Sequence, residues 1–200
     1  MYYNRIARFI NSKKNKLSNI DLQFINFVAA DLNHANFKWT NLTGARFSAA
    51  KLYKANFTQA NLSESVLMFS YLPETNFSLS LLHLTDFNKA ILINANFDKA
   101  ILIKANFKEA RLYGANFSAV YFFDPSIKLE KAKYNSNPIK FSKTLTESEL
   151  IIICASNDQI ESIKCINEID PETIILPTQF PKGFDPKAHE MIDVSEDITN

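Results

Sequence analysis

The chain has 200 residues, 46% of them apolar, which suffices for one continuous core or for one domain with an appendage. Its net charge of +1 gives no whole-chain electrostatic case for a nucleic-acid binder or for an acidic mimic of nucleic acid. Three glycines cannot assemble a phosphate-cradling loop, and seventeen phenylalanines ask for a periodic explanation.

Residues 1–19 carry Arg5, Arg8, Lys13, Lys14 and Lys16 and no acid. Tyr2, Tyr3, Ile6, Phe9 and Ile10 fall at helical spacing, so the segment is expected to form a short amphipathic helix that caps the first coil of the adjoining repeats. A basic helix on an anionic membrane surface is the alternative use. The segment has no unbroken apolar stretch before a small-residue cleavage site, and no run in the chain reaches the ~18 apolar residues of a membrane span.

From residue 20 to 124 a five-residue frame takes over. Leu22, Phe27, Leu32, Phe37, Leu42, Phe47, Leu52, Phe57, Leu62, Leu67, Leu72, Phe77, Leu82, Phe87, Leu92, Phe97, Leu102, Phe107, Leu112, Phe117 and Phe122 succeed one another in steps of five. Two residues before most of them stands a small one, from Ala30, Ala35 and Thr40 through Ser65, Ser70 and Thr75 to Ala115. A period of five matches neither the 3.6 of a helix nor the alternation of a strand. One large and one small residue must therefore point inward per unit, and the backbone must turn between units.

Units such as Ala35-Asn36-Phe37, Ala55-Asn56-Phe57, Ala95-Asn96-Phe97 and Ala115-Asn116-Phe117 resemble the A-[DN]-[LF]-x-x signature of bacterial pentapeptide-repeat proteins. The resemblance implies an all-β solenoid, a right-handed quadrilateral parallel β-helix with four units to a coil. At a strand spacing of ~4.8 Å the repeats would make about five coils. Such coils satisfy one another's backbone groups, and both ends need covering.

Reading every twentieth residue sorts the units onto faces. One stacks Phe37, Phe57, Phe77, Phe97 and Phe117 as structural core, each preceded by an Asn whose amide is expected to bond backbone or its own column. Apolar residues occupy outward positions on two other faces: Tyr53, Tyr71, Ile91, Ile93 and Tyr113 on one, the candidate interaction face, and Leu81, Leu84, Ile101, Ile103, Tyr121 and Phe123 on the second. Such patches are expected to be buried by the chain's own tail, by a second copy in a homodimer, or by a partner. Val66, Leu67, Met68, Phe69, Tyr71 and Pro73 depart from the consensus and are candidates for a bulge or bend.

After Asp124-Pro125 the frame ends, and residues 125–200, with eight Lys against thirteen acids, form a non-repeat extension. Thr146 and Glu149 suggest a capping box and a helix from about Glu147 to Ile169, although the Ile151–Ile153 run also suits a strand. Thr178-Gln179-Phe180-Pro181-Lys182-Gly183-Phe184-Asp185-Pro186 resembles a segment that often comes after the repeats in bacterial pentapeptide proteins. Its prolines and glycine predict an extended, turn-rich stretch, and its Phe residues predict docking on the solenoid, with a tail laid over one apolar face as the preferred arrangement.

No cofactor or metal is expected. His34, His83 and His189 have no metal-ligand spacing, and Cys154 and Cys165 read as small hydrophobes in a reducing, cytoplasmic chain. A filled rod offers flat faces instead of a catalytic cleft, so the chain is expected not to be an enzyme but a protein-binding scaffold for an unknown protein. The family resemblance adds an alternative, a DNA-mimicking partner of type II topoisomerases, for which the nearly neutral repeats lack acid; nucleic acid is an unlikely partner for the same balanced chain. A membrane-associated effector anchored by the basic N-terminus is the remaining alternative.

Overall fold

The computed structural model describes residues 17–117, 120, 122–123, 133–134, 139–140, 174–175, 178–180 and 185–193. The expected N-terminal helix and the helix of Glu147 to Ile169 lie outside these residues.

Within the repeats, single parallel bridges link residues twenty apart in four columns. One column runs Asp21, Asn41, Asn61, Leu81, Ile101; the next Asn26, Arg46, Val66, Asp86, Asn106; the third Asp31, Lys51, Tyr71, Ile91, Arg111; and the fourth Asn36, Asn56, Asn76, Asn96, Asn116. Four five-residue units therefore close one turn of a four-sided solenoid. The walls are single rungs between turns, so each unit is closer to a corner than to a strand.

A unit led by Asn or Asp satisfies its five N–H groups as the one centred on Phe57 shows. Asn56 N donates to Ala35 O at 2.9 Å in the coil before, and Phe57 N and Gln59 N donate to Asn76 O and Ser78 O at 2.7 and 3.0 Å in the coil after. Ala60 N closes a turn onto Phe57 O at 2.9 Å. The fifth group, Thr58 N, donates to the Asn56 side chain, Oδ1, at 3.0 Å. The same side-chain bond recurs from Lys38 to Asn36, Ser78 to Asn76 and Asp98 to Asn96. The Asn column is thus a set of turn-closing acceptors.

Each turn needs a left-handed residue at its third position, with φ between 53° and 66° from Asn19 to Gly114. Only Gly44 and Gly114 are glycine there; eighteen L-residues, among them Phe24, Trp39 and Lys54, take that conformation at about 1 kcal/mol or more apiece. Intercoil hydrogen bonds on both sides hold it.

The axis is filled as the frame requires. Phe37, Phe57, Phe77 and Phe97 are fully buried and Phe117 is 1% exposed, stacked with centroids 4.9, 5.2, 5.1 and 4.5 Å apart and planes within 8° of parallel. Phe47, Phe87 and Phe107 meet them edge-on from the neighbouring column. The small residues are buried at the corners, and where they are Ser or Thr the hydroxyl reaches a carbonyl: Ser65 Oγ donates to Leu62 O at 2.7 Å and Thr75 Oγ1 to Leu52 O at 2.9 Å.

Two sequence expectations need correction. The Val66–Pro73 departure produces no slip, because Val66 bridges Arg46 and Asp86, and Tyr71 bridges Lys51 and Ile91, all in register. Buried Pro73 occupies the position whose N–H, in units led by Asn or Asp, goes to that residue's side chain; having no N–H, it needs no acceptor from Tyr71. The slip occurs later. Strand β1 (Ile101–Leu102) pairs in parallel with β2 (Phe122–Phe123) so that Ile101 faces Phe122 and Leu102 faces Phe123. The register is one residue out of the five-residue frame, and Phe123, not Phe122, takes the ladder position opposite core residue Leu102.

Beyond the repeats, β3 (Lys133–Tyr134) pairs in parallel with β6 (Ile192–Asp193), and β4 (Ile139–Lys140) pairs antiparallel with β5 (Ile174–Ile175). A 3-10 turn at Lys187–His189 leads to Met191, which is buried in the same apolar cluster as the Phe stack.

Candidate interaction faces

The two apolar faces read from the sequence have opposite fates. Tyr53 and Tyr71 are 7% exposed, Ile91 8%, Ile93 1% and Tyr113 fully buried. Equivalent outward positions elsewhere, such as Asn56, Thr58, Asn61 and Ser63, are half-buried. These five side chains are therefore largely withdrawn from solvent within the chain. Withdrawing large apolar side chains from water, at about 25 cal/mol per Å², is what favours such covering.

At the edge of the covered face, Tyr53 packs edge-on against His34 with centroids 5.4 Å apart, and its hydroxyl donates to Glu74 Oε1 at 3.3 Å. Lys54 Nζ lies 3.3 Å from Glu74 Oε2 and 5.0 Å from the Tyr53 ring centroid. The Tyr53 hydroxyl, and after it the Glu74 carboxylate, hold the Lys54 ammonium above its ordinary pKa of 10.5.

The second face stays open. Leu81, Ile101 and Ile103 are half-buried on its wall, and Leu79 and Leu84, at the corners on either side of Leu81, are 41% and 45% exposed. One coil further on, the same two corners carry the exposed ammonium groups of Lys99 and Lys104. Tyr121 lies outside the described residues, and Phe123 pairs with Leu102.

Sequence reasoning passed over the exposed aromatic corners. Phe24 lies over Gly44 closely enough that a Cβ there would come within 2.5 Å of its ring. Trp39 Nε1 donates to Gln59 Oε1 at 2.6 Å with Lys38 Nζ 4.5 Å from its ring centroid, and Lys89 Nζ sits 5.6 Å from that of Phe69. The signal was present in the frame itself, since all three stand two residues after a central Leu or Phe.

Among the described residues no group of three or more His, Cys, Asp or Glu side chains is placed to hold a metal ion, and no helix is long and apolar enough to cross a membrane.

A four-sided solenoid with a twenty-residue turn, an axial Phe stack and Asx-closed corners defines a repeat protein of the pentapeptide class. The family model described as a pentapeptide repeat region matches residues 40–117, and that for pentapeptide repeats in eight copies matches residues 16–48. The chain belongs to the pentapeptide-repeat family.

Among solved structures it is similar to a pentapeptide repeat protein from the Arabidopsis thaliana thylakoid lumen, at 20% identity and TM-score 0.48, covering 76% of this chain and 92% of that one. It is also similar to Rfr23 from the cyanobacterium Cyanothece 51142, at 20% identity and TM-score 0.38, covering 61% and 93%. QnrB1, a plasmid-mediated fluoroquinolone resistance protein, is a third, at 22% identity and TM-score 0.40, covering 56% and 59%. No curated protein matches the chain.

Proposed function

We propose that this protein is a non-enzymatic scaffold, its repeats wound as about five coils, that binds a protein partner on the face of Leu81, Ile101 and Ile103. The observation that carries the reading is the exposure of Leu79 and Leu84 at both edges of that flat apolar wall, while the comparable face of Tyr53 to Tyr113 is covered. Apolar centres with a polar rim are where binding energy concentrates, and Lys99 and Lys104 at the corners suit a partner with carboxylates around an apolar anchor. The axis, filled by Phe and Leu, supports a binding role over catalysis.

The test compares native pull-downs of the intact protein and of a Leu84→Ser, Ile103→Ser variant with unchanged circular dichroism and melting temperature. Specific loss of one co-purifying protein supports the reading and identifies the process served; identical partner lists overturn it. Light scattering on both proteins separates a second copy of the chain from a different partner.

A further inference from the structure

The fourth column of rungs does not end at Asn116. The next in-frame residue would be 136, yet the residue bridged to Asn116 in parallel is Gln179. Gln179 N donates to Ala115 O at 2.9 Å, as Asn116 N donates to Ala95 O at 2.9 Å, and Phe117 N donates to Gln179 O at 2.7 Å, as Phe97 N donates to Asn116 O at 2.9 Å. The Thr178 hydroxyl donates to Leu112 O at 2.7 Å, the bond that Thr75 makes to Leu52 and Thr85 to Leu62 at 2.9 Å. The Phe180 ring lies 4° from parallel to Phe117 and prolongs the axial stack. Thr178-Gln179-Phe180 thus reproduces a repeat unit in chain order: a small or Thr residue, an amide, and Phe.

We infer that the C-terminal end of the solenoid is an acceptor site for an extended peptide strand reading Ala or Thr, then Asn or Gln, then Phe, filled here in cis by Thr178–Phe180. Recognition is by β-augmentation: two main-chain bonds give the strand its register, the Leu112 carbonyl reads the hydroxyl, and the Phe117 ring reads the aromatic. All of these contacts are made with Leu112, Ala115, Asn116 and Phe117, so a separate strand of the same chemistry finds the same partners there. The cis strand is also the loosest step of the stack, at 6.1 Å between Phe117 and Phe180 against 4.5 Å between Phe97 and Phe117, which suits exchange. A tethered strand competes at an effective concentration of about millimolar, so a strand in trans gains entry where the cis one is weakened.

The experiment uses a fluorescent synthetic peptide copying residues 174–186, titrated by anisotropy into the full-length protein and its Phe180→Ala variant. At least tenfold tighter binding to the variant than to the parent, lost tenfold or more when Phe180 of the peptide is replaced by Ala, is the expected result. Equal binding to both proteins, binding to neither, or indifference to the peptide's Phe overturns the proposal. Should Phe180→Ala unfold the chain, the parent sequence with a specific protease site inserted between residues 150 and 151 decides. After cleavage the C-terminal fragment is expected to co-elute with the solenoid and to be displaced by excess peptide; a fragment that separates unaided, or that excess peptide fails to displace, sinks the idea.

Discussion

Asn56 Oδ1 accepts two hydrogen bonds from one residue, the backbone N–H of Thr58 at 3.0 Å and its hydroxyl at 2.6 Å. The first of these closes the one N–H of the unit that donates to no backbone carbonyl. Asn56→Ala strands that N–H, and we expect a loss of roughly 1–2 kcal/mol in urea denaturation, whereas Asn56→Asp, which keeps the acceptor, loses less than half as much. Equal losses for the two variants would show that the amide serves some purpose other than turn closure.

Phe77 lies between Phe57 and Phe97, at 5.2 and 5.1 Å, with Phe87 edge-on at 5.4 Å. Phe77→Ala opens a cavity in the middle of the axis, and about 3–5 kcal/mol of stability should go with it. Phe77→Leu, which installs the residue that most other units carry, should cost under half of that. Melting followed by circular dichroism distinguishes the two.

Pro73 is buried where units led by Asn or Asp present an N–H to that side chain. Pro73→Ala restores that N–H opposite Tyr71, which has no Oδ1 to receive it, and also loosens the unfolded chain. The expected loss is about 1–3 kcal/mol, large for a proline outside the axis, and a denaturation midpoint within error of the parent would contradict it.

Lys54, held above its ordinary pKa of 10.5 by Tyr53 and Glu74, stabilises the folded chain fully below that value and loses its contribution as pH rises through the higher folded pKa. The melting-temperature difference between the parent and Lys54→Met should therefore stay constant from pH 7 to 10 and shrink above pH 10.5. The effect is small, because water screens an exposed ammonium. A difference unchanged at pH 12 would remove the pair as its cause.

Much of this architecture is legible because each unit meets nearly the same surroundings as the unit twenty residues away. The Leu or Phe that fills the axis and the small residue at the corner recur in steps of five, so burial leaves a direct trace in the residues. The Asx turn is legible too, since its donor and acceptor are only two residues apart. The left-handed corners are not: nothing about Phe24, Trp39 or Lys54 favours positive φ, which hydrogen bonds to the adjacent coils impose.

The candidate site was legible in composition and not in exposure. Tyr53, Tyr71 and Ile91 have the same outward pattern in the frame as Leu81 and Ile101, yet one set is buried and the other half-open, a difference that a five-residue frame does not encode. The same holds at the end of the rod. A five-residue frame predicts residue 136 above Asn116, whereas the structure puts Gln179 there, and it opposes Phe123 to Leu102 where the frame predicts Phe122. By itself the sequence determined the repeat and the inward Leu, Phe and small residues, which depend on local periodicity; the coil of four units came from the family resemblance and is seen in the twenty-residue spacing of the rungs. Which strand closes the end was decided by contacts between residues sixty or more positions apart, where periodicity carries no information, and which face stays open appears only in the folded chain's exposure.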